Sequence, residues 1–482
     1  MARSAVKVKK VEMEGENLRS LFDRQREAFF ARGIPTYGER MEAIWKILDM
    51  TERHGNDIAQ AISKDFGNRS RHETEASDLL MTVSAARFAR RHLKSWTRDR
   101  KVISNIYSLP GKSRIMSQPL GVVGIVAPWN YPYSFVMMPA ISALAAGNRV
   151  MAKPSEVTAH TTELMGNMIS ERFKEEEFAI VQGGPEVGRR FTSLPFDHLL
   201  FTGSTQVGRE VAKAAAENLT PVTLELGGKS PAILDSTCHP YTAVDALLRG
   251  KLFNAGQTCI AVDHVYVPEQ RLEMLLELLQ AKGAAFHPTI TDNPDVTSII
   301  NDRHYDRIMD LLKDAEKKGA RVIRVQPEGE RIPPESRKIP LTLLLDVTPD
   351  MRVMQEEIFG PLLPILTYRN LSLLIKELNE KDRPLAMYWF GRSNFNRDQV
   401  LERTWAGGMT VNDTLFHILQ EHLPFGGVGT SGQGAHMGEA GFRAFSKEKP
   451  VFHQYKVNLA KTFNPPYTKL TDRILALTKW LA

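Results

Sequence analysis

The sequence predicts a mixed α/β protein built around two mostly parallel β-sheets. Short apolar runs alternate with helical segments between residues 122 and 226, and a second series of the same kind follows residue 234. Such alternation is typical of parallel strands whose sheet is covered by helices on both faces. The length of 482 residues is about three times the ~150-residue unit of a single domain, which leaves room for both sheets.

Local patterns predict each element in turn. Residues 17–100 repeat apolar side chains at intervals of three and four, which predicts helices with breaks at Gly33-Ile34-Pro35 and Gly67-Asn68. Residues 102–122 indicate a hairpin around the turn at 109–112. Strands of the first sheet are predicted at 122–127, 149–153, 178–181, 198–202 and 223–226, and those of the second at 262–267, 320–324, 341–345 and 363–367.

Two apolar segments need a separate interpretation. No charged residue occurs from Ile115 to Asn148, a stretch longer than the ~20 residues of a membrane span. Prolines interrupt it repeatedly, so one lipid-exposed helix is excluded, and we expect a buried strand, a loop and a short helix. The amphipathic segment 469–482 is too short to span a bilayer and predicts a helix that docks on the protein.

The composition narrows the class of protein. A hydrophobic share of 42% and a charged share of 24% are those of a globular protein, and the net charge of +6 is not gathered with aromatics into a nucleic-acid surface. The charged N-terminus lacks the apolar segment of a secretory signal. The two cysteines, Cys238 and Cys259, cannot form a disulfide framework, so we expect a reducing, cytoplasmic setting.

Cys259 is the strongest candidate for a reactive group. It follows a Gly-Gln-Thr loop, in which the backbone can bend close to a ligand and the amide of Cys259 can donate to an oxyanion. The alternative is a buried small hydrophobic residue. Cys238 matches no functional pattern, and no residues lie at metal-ligand spacing, so no metal site is predicted.

Two further residues suit covalent catalysis. Glu225 stands alone in an apolar strand, where desolvation raises the pKa of a carboxyl group toward that of a general base. Asn130 lies between two prolines that fix the local backbone, so its amide can be directed at an oxyanion. An Asn in an ordinary turn is the alternative.

Two windows have features of a nucleotide site. Residues 201–208 follow an apolar strand and open a helix, which places glycines and free N–H groups at a helix N-terminus. Their spacing is not the G-x-G-x-x-G fingerprint. Lys153 and Glu156, at the end of another strand, are groups that a nucleotide ribose could use.

Together with the segment 424–432, these motifs resemble the aldehyde dehydrogenase superfamily along nearly the whole chain. The run 412–418 and the KPSE sequence at 153–156 are similar to its class 3 branch, and to bacterial coniferyl aldehyde dehydrogenases within it. The resemblance implies two Rossmann-type lobes and a small β bridging arm. The expected division is a dinucleotide-binding domain over 1–226 with the arm at about 102–122, a catalytic domain over 227–430, and a return to the arm and a C-terminal helix over 431–482.

The same resemblance implies NAD(P)-dependent oxidation of an aldehyde to the acid through a thiohemiacetal and a thioester on Cys259. Glu225 would activate the hydrolytic water, and Asn130 would stabilise the oxyanion. The implied cofactor contacts are Trp129, Lys153, Glu156, Gly203, Ser204, Thr205, Gln206, Val207, Gly208, Glu357 and Phe359. The candidates for the substrate pocket are Tyr131, Tyr133, Phe416 and His417. Glu156 favours NAD because it would repel a 2′-phosphate, and NADP stays open.

The expected substrate is a small aromatic aldehyde of the coniferyl type, with medium- or long-chain aliphatic aldehydes as the alternative. A non-catalytic structural relative is the alternative of another class, and the presence of both Cys259 and Glu225 argues against it. A CoA-acylating enzyme is disfavoured because such relatives lack the base that Glu225 supplies. The resemblance further implies a homodimer joined through the arm, and neither a nucleic-acid partner nor a membrane span is expected.

Overall fold

The computed structural model of the chain describes residues 15–105, 108–456, 458 and 463–481. The N-terminus up to residue 14, for which no secretory signal is predicted, lies outside the described residues, as does Ala482. The helices are α1 (Gly15–Arg32), α2 (Tyr37–Arg53), α3 (Gly55–Phe66), α4 (Arg71–Thr74), α5 (Met81–Trp96), α6 (Ser134–Ala146), α7 (Ala159–Arg172), α8 (Pro185–Thr192), α9 (Thr205–Glu217), α10 (Pro240–Leu252), α11 (Leu272–Phe286), α12 (Asp302–Lys317), α13 (Arg352–Gln355), α14 (Leu371–Asn379), α15 (Asn394–Arg403), α16 (Gly438–Ala444) and α17 (Lys469–Leu481). The strands are β1 (Arg100–Val102), β2 (Lys112–Pro119), β3 (Val122–Val126), β4 (Arg149–Lys153), β5 (Phe178–Ile180), β6 (His198–Thr202), β7 (Val222–Glu225), β8 (Pro231–Leu234), β9 (His264–Pro268), β10 (Arg321–Val325), β11 (Leu341–Leu345), β12 (Leu362–Tyr368), β13 (Ala386–Phe390), β14 (Gly408–Val411), β15 (Gly432–Gln433) and β16 (Ser446–His453).

The N-terminal region is helical, as predicted. Gly33 and Gly67 have φ angles of +73° and +81°, a left-handed conformation that glycine adopts at little cost, and these residues follow the ends of α1 and α3. Between α4 and α5 the chain passes through a π-helical turn at Glu75–Leu80. Such turns are rare and are frequent at functional sites.

The first sheet has the order β15-β7-β6-β3-β4-β5 and is parallel except for β15. Its strands lie where the sequence predicts them. Alternate side chains of β3 enter different layers: Val123 and Ile125 pack in one core with Ile141 of α6, whereas Val122 packs in another with Phe22 of α1. Helices therefore cover both faces of the sheet. The uncharged stretch forms the end of β2, then β3, a loop and α6, which confirms its predicted interpretation.

The second sheet has the order β10-β11-β12-β9-β8-β13-β14 and is parallel except for the β10–β11 pair. The predicted strands correspond to β9, β10, β11 and β12, although β9 begins at His264, later than the apolar run suggests. Strands β8, β13 and β14 complete the sheet and were not predicted. The two sheets confirm the predicted α/β fold class.

The strands β1, β2 and β16 form a separate antiparallel sheet, in which β2 lies between the other two. Strands β1 and β2 form the expected hairpin, and β16 adds a third strand to it. This small sheet corresponds to the predicted β arm. The predicted C-terminal helix forms as α17, but Leu470, Leu477 and Trp480 on its apolar side are 62%, 56% and 80% exposed. These side chains are therefore largely uncovered in the single chain, and the docking of this helix stays a prediction. None of the helices in the described ranges combines the length and the apolar character that crossing a bilayer requires.

Candidate active site

Segments from both larger sheets line one cleft of about 1070 Å³. Trp129 and Asn130 follow β3, Gly203 follows β6, and Glu225 ends β7, so these residues come from the carboxyl ends of neighbouring parallel strands. Ligands of α/β proteins bind at such an edge. Cys259, on the loop between α10 and β9, lines the same cleft.

The loop that carries Cys259 has an unusual backbone. Asn254, Ala255 and Gly256 all have positive φ angles, and a Cβ at Gly256 would lie 2.5 Å from the Gly360 carbonyl oxygen, so the loop requires glycine there. Gln257 is fully buried and fixes the turn, because its Nε2 donates to the carbonyl oxygens of Asn254 at 3.0 Å and Ser298 at 3.1 Å.

Cys259 itself is partly exposed to the cleft. Desolvation at the floor of the cleft raises the pKa of its thiol, and the charges of Glu357 and Glu225 raise it further. The resting group is therefore a thiol, which must lose its proton before the sulfur attacks.

Glu225 is 2% exposed, and neither of its carboxylate oxygens has a hydrogen-bond partner among the described residues. Burial raises the pKa of this carboxyl group well above its usual value. A buried carboxylate without partners is costly, and groups perturbed in this way are concentrated at functional sites.

Asn130 is buried beside the Cys259 loop. Its side-chain Nδ2 donates to the Gln257 carbonyl oxygen at 3.1 Å, and Asn254 Nδ2 donates to the Asn130 carbonyl oxygen at 3.1 Å. An Asn amide carries two N–H groups, so one remains beyond this bond, and Asn130 lines the cleft. Asn130, Glu225 and Cys259 are thus brought together, as the sequence predicts.

The first turn of α9 forms another part of the cleft wall. Gly203, Ser204, Thr205 and Gln206 line the cleft, and the Ser204 hydroxyl accepts a hydrogen bond from the Val207 N–H at 3.4 Å. Unpaired N–H groups at a helix N-terminus bind phosphates, so this wall fits the pyrophosphate of a dinucleotide. Gly208 plays a packing role, because a Cβ there would lie 2.5 Å from the Leu226 side chain.

Lys153 and Glu156 lie beyond the residues that line this cleft. Lys153 ends β4 and is 3% exposed, with its Nζ 3.1 Å from the Pro154 carbonyl oxygen and 3.4 Å from Glu156 Oε2. Gly188 of α8 is the neighbour on the other side, since a Cβ there would lie 3.5 Å from Lys153 Cε.

Glu357 and Phe359 belong to the opposite wall. The Glu357 carboxylate rests on Gly227, where a Cβ would lie 2.1 Å from Oε2. Burial raises the pKa of Glu357 to about 8, and the charge of Asp263 adds to this rise. Phe359 has a φ angle of +51° and meets Trp129 edge to face, with ring centroids 5.4 Å apart.

The four aromatic candidates for the substrate pocket do not line the cleft. Tyr131 lies next to the site, where its hydroxyl is 2.5 Å from Thr258 Oγ1. Tyr133 is fully buried and its hydroxyl is 2.7 Å from Thr51 Oγ1, so it faces the core of the first lobe, contrary to expectation.

The other two candidates lie on the loop after β14. Phe416 is 43% exposed, with the guanidinium of Arg249 5.6 Å from its ring centroid. His417 Nδ1 is 2.8 Å from Thr410 Oγ1, and its ring stacks on Phe425.

Sequence reasoning missed a set of groups that support the opposite wall. Lys229 Nζ donates to Asp263 Oδ1 at 2.6 Å and to the carbonyl oxygens of Val353 and Glu356, and Asp263 Oδ2 accepts the Ile358 N–H at 3.0 Å. The sequence signal that could have indicated this set is Lys229, a charged residue that directly follows two glycines and an apolar strand. Within the described ranges, no group of His, Cys, Asp and Glu is arranged to hold a metal ion.

Comparisons with known proteins agree with this site. A model of the aldehyde dehydrogenase family matches residues 7–451. The chain is 45% identical to a probable coniferyl aldehyde dehydrogenase of Caulobacter vibrioides, over 95% of this chain and 96% of that protein. It is 43% identical to a coniferyl aldehyde dehydrogenase of Pseudomonas sp. strain HR199, over 96% of each. The solved substrate-bound state of Staphylococcus aureus AldH superposes with a TM-score of 0.90 at 36% identity and covers 95% of this chain and 99% of that one.

The chain belongs to the aldehyde dehydrogenase family. It is an aldehyde dehydrogenase that oxidises aldehydes to carboxylic acids, and the family uses NAD or NADP as the electron acceptor. The predicted family, fold class and enzyme activity are therefore confirmed.

Proposed function

We propose that this aldehyde dehydrogenase oxidises coniferyl-type aromatic aldehydes with NAD, using Cys259 as nucleophile, Glu225 as general base and Asn130 as oxyanion donor. The observation that carries the assignment of residues is the buried, unpartnered carboxylate of Glu225 in the same cleft as the thiol. A structural carboxylate in this position would be expected to have partners. A base that must accept a proton from water needs its oxygens free.

In the first half of the reaction the Cys259 sulfur forms a bond to the aldehyde carbon, and the thiol proton is released to solvent. The carbonyl oxygen becomes an oxyanion, stabilised by the second N–H of the Asn130 amide and by the Cys259 backbone N–H. NAD, held along the cleft wall that begins at Gly203, would supply the acceptor for the hydride that departs from the former aldehyde carbon, so that a thioester on Cys259 remains.

In the second half Glu225 removes a proton from a water molecule, whose oxygen adds to the thioester carbon. The carbon–sulfur bond then breaks, and the proton held by Glu225 passes to the departing sulfur, which releases the acid and regenerates the Cys259 thiol and the Glu225 carboxylate. Because only ionised Glu225 can accept the proton, and burial raises its pKa, hydrolysis should accelerate as the pH rises through that elevated value.

The two cysteines provide a matched test of the nucleophile. Cys259→Ser should abolish NADH formation while NAD binding, followed by protein fluorescence, persists. Cys238, unlike Cys259, is buried and packs in the core around β8, so Cys238→Ser should keep turnover within about twofold. Retained turnover in Cys259→Ser would contradict the assignment.

The aromatic substrate is supported by the named relatives and by the cleft itself. Phe135 lines the same cleft as Cys259 and meets the ring of Tyr131 edge to face, with ring centroids 5.6 Å apart, and this aromatic surface supports an aromatic substrate. A steady-state comparison of coniferyl, benzyl, hexyl and longer aldehydes tests this proposal, and coniferyl aldehyde should have the highest kcat/KM. A preference for saturated chains would favour the aliphatic alternative.

Release of free acid without CoA should accompany turnover, and a requirement for CoA would contradict the role of Glu225.

For the cofactor we propose that Lys153 and Glu156 hold the adenosine ribose and that Glu156 favours NAD by repelling a 2′-phosphate. In the ion pair that these two residues form, the Glu156 side chain is 43% exposed, so its carboxylate is accessible to a cofactor. Glu156→Gln should raise kcat/KM with NADP relative to NAD by about tenfold, equivalent to ~1.4 kcal/mol. Glu163→Gln, on exposed α7 surface, is the control and should leave the ratio unchanged. An unchanged ratio in Glu156→Gln would contradict the proposal.

We propose the domain division 1–226, 227–430 and 431–482, with a homodimer joined through the arm. The change of sheet between β7 and β8, and the return to the first sheet at β15, support these boundaries. Strands at the ends of the arm sheet offer unpaired backbone groups to a second subunit. Light scattering should give twice the mass of the chain, and a monomeric mass would contradict the dimer.

The two free cysteines support a cytoplasmic location, which cell fractionation would test.

A further inference from the structure

A buried ion pair lies directly behind the loop that carries Asn130. The side chains of Arg69 and Asp78 are both fully buried, with Arg69 Nη2 3.3 Å from Asp78 Oδ2. Neither residue lines the cleft or belongs to a motif of the site. Removing two charges from water costs several kcal/mol per ion, which good geometry and additional hydrogen bonds must offset. Several of those hydrogen bonds go to the Asn130 loop.

Arg69 holds the start of this loop. Its Nη1 donates to the Asn130 carbonyl oxygen at 3.0 Å. Its guanidinium carbon lies 5.0 Å from the ring centroids of both Tyr131 and Phe66, so aromatic rings contact the same planar group. The backbone of Asn130 and the ring of the next residue are thus fixed by one side chain.

Asp78 holds the end of the loop. Its Oδ1 accepts hydrogen bonds from the Tyr133 and Ser134 N–H groups, both at 3.1 Å, at the N-terminus of α6. Asp78 lies in the π-helical turn at Glu75–Leu80. Arg69 and Asp78 therefore hold the loop at both ends.

The same segment also reaches the Cys259 loop. Glu73 Oε1 accepts the Asn254 N–H at 2.9 Å, and Asn254 Nδ2 donates to the Asn130 carbonyl oxygen at 3.1 Å. That oxygen consequently accepts from both Arg69 and Asn254. It is one of the points at which the loop of Asn130 and the loop of Cys259 are joined, beside the bond from Asn130 Nδ2 to the Gln257 carbonyl oxygen.

We propose that Arg69, held by Asp78, is a positioning residue that sets the Asn130 amide against the Cys259 loop during formation of the thioester. The inference rests on the proposed role of Asn130 as oxyanion donor. Removing one such donor typically costs 10²–10³ in rate. Displacing it should cost less, so we expect the acylation rate of Arg69→Met to fall by about 10- to 100-fold.

The test measures the pre-steady-state burst of NADH, which reports acylation, in Arg69→Met and in a matched control. Arg40 is also a buried arginine, and its Nη1 donates to the carbonyl oxygens of Ala145 and Ala146 at the opposite end of α6. Arg40→Met should therefore lose comparable thermal stability but keep the wild-type burst. Equal burst rates in the two variants would overturn the proposal. If Arg69→Met does not fold, Arg69→Lys keeps a charge for Asp78 and should show a smaller decrease.

A double-mutant cycle with Asn130→Ala separates positioning from a general structural effect. If Arg69 acts through the Asn130 amide, Arg69→Met should slow the burst less than twofold further in the Asn130→Ala background. Independent, multiplicative losses would overturn the positioning role while leaving the proposed function intact. A wild-type burst in Asn130→Ala alone would instead contradict the proposed function.

Discussion

Replacing Glu225 by glutamine is the perturbation for which the structure makes the most detailed prediction. The side chain is 2% exposed, its oxygens have no partners among the described residues, and burial raises its pKa. Glutamine keeps the shape but cannot accept the proton of the hydrolytic water. Because general-base catalysis contributes typically 10²–10⁴-fold, thioester hydrolysis in Glu225→Gln should slow by about that factor.

The same burial makes a prediction about stability. In the unfolded chain the Glu225 carboxyl ionises near pH 4.5, whereas in the folded protein it stays protonated to a higher pH. Between these two pKa values the folded state binds more protons, so the free energy of unfolding of the wild type falls by about 1.4 kcal/mol per pH unit through this residue. Glutamine does not titrate, so Glu225→Gln should be as stable as the wild type near pH 4.5 and progressively more stable above it.

Urea unfolding of both proteins between pH 4.5 and 8.5 measures this difference, with single-turnover hydrolysis as the kinetic readout. The control is Glu163→Gln, which is the same substitution at an exposed position of α7. We expect the stability advantage of Glu225→Gln over the wild type to grow as the pH rises. If it stays constant or falls, the conclusion that no hydrogen bond offsets the lost hydration of the Glu225 carboxylate is refuted.

Two further substitutions separate the cleft from the core. Gly227→Ala places a methyl group where the Glu357 carboxylate lies 2.1 Å away, so the carboxylate must move. If Glu357 contacts the cofactor, as the family resemblance implies, NAD affinity measured by fluorescence titration should fall about tenfold, or ~1.4 kcal/mol. Unchanged affinity would contradict that contact. Tyr133→Phe removes the hydroxyl that pairs with Thr51, so the free energy of unfolding should fall by about 1 kcal/mol while kcat/KM stays within twofold. A large loss of kcat/KM at wild-type stability would return Tyr133 to the substrate pocket.

The sequence predicted the parts of the site that lie on contiguous motifs. Cys259, Glu225 and Asn130 each stand in a short window whose neighbours determine the local backbone, and apolar runs such as 149–153 and 198–202 coincide with whole strands. In these places local pattern and tertiary structure agree, so reasoning from either gives the same answer.

The remaining features depend on contacts between distant segments. Arg69 and Asp78 lie in a region whose periodicity indicates ordinary helices, and nothing local shows that their charges turn inward toward the Asn130 loop. Tyr133 directly follows the motif that contains Asn130 and Tyr131. It stands immediately before α6, however, and its side chain is fully buried in the core. Strand β14 is short and only half-buried, so its sequence gave no clear pattern.

The central claim is that the aldehyde is oxidised to a thioester on Cys259, and that Glu225 activates the water molecule that hydrolyses this thioester. The most direct test is intact-mass spectrometry with peptide mapping of Glu225→Gln after incubation with coniferyl aldehyde and NAD. We predict a mass increase equal to the aldehyde minus two hydrogen atoms, located on the peptide that contains Cys259 and removed by hydroxylamine. An unmodified Cys259 in a variant that still forms NADH, or an adduct on Cys238, would contradict the mechanism.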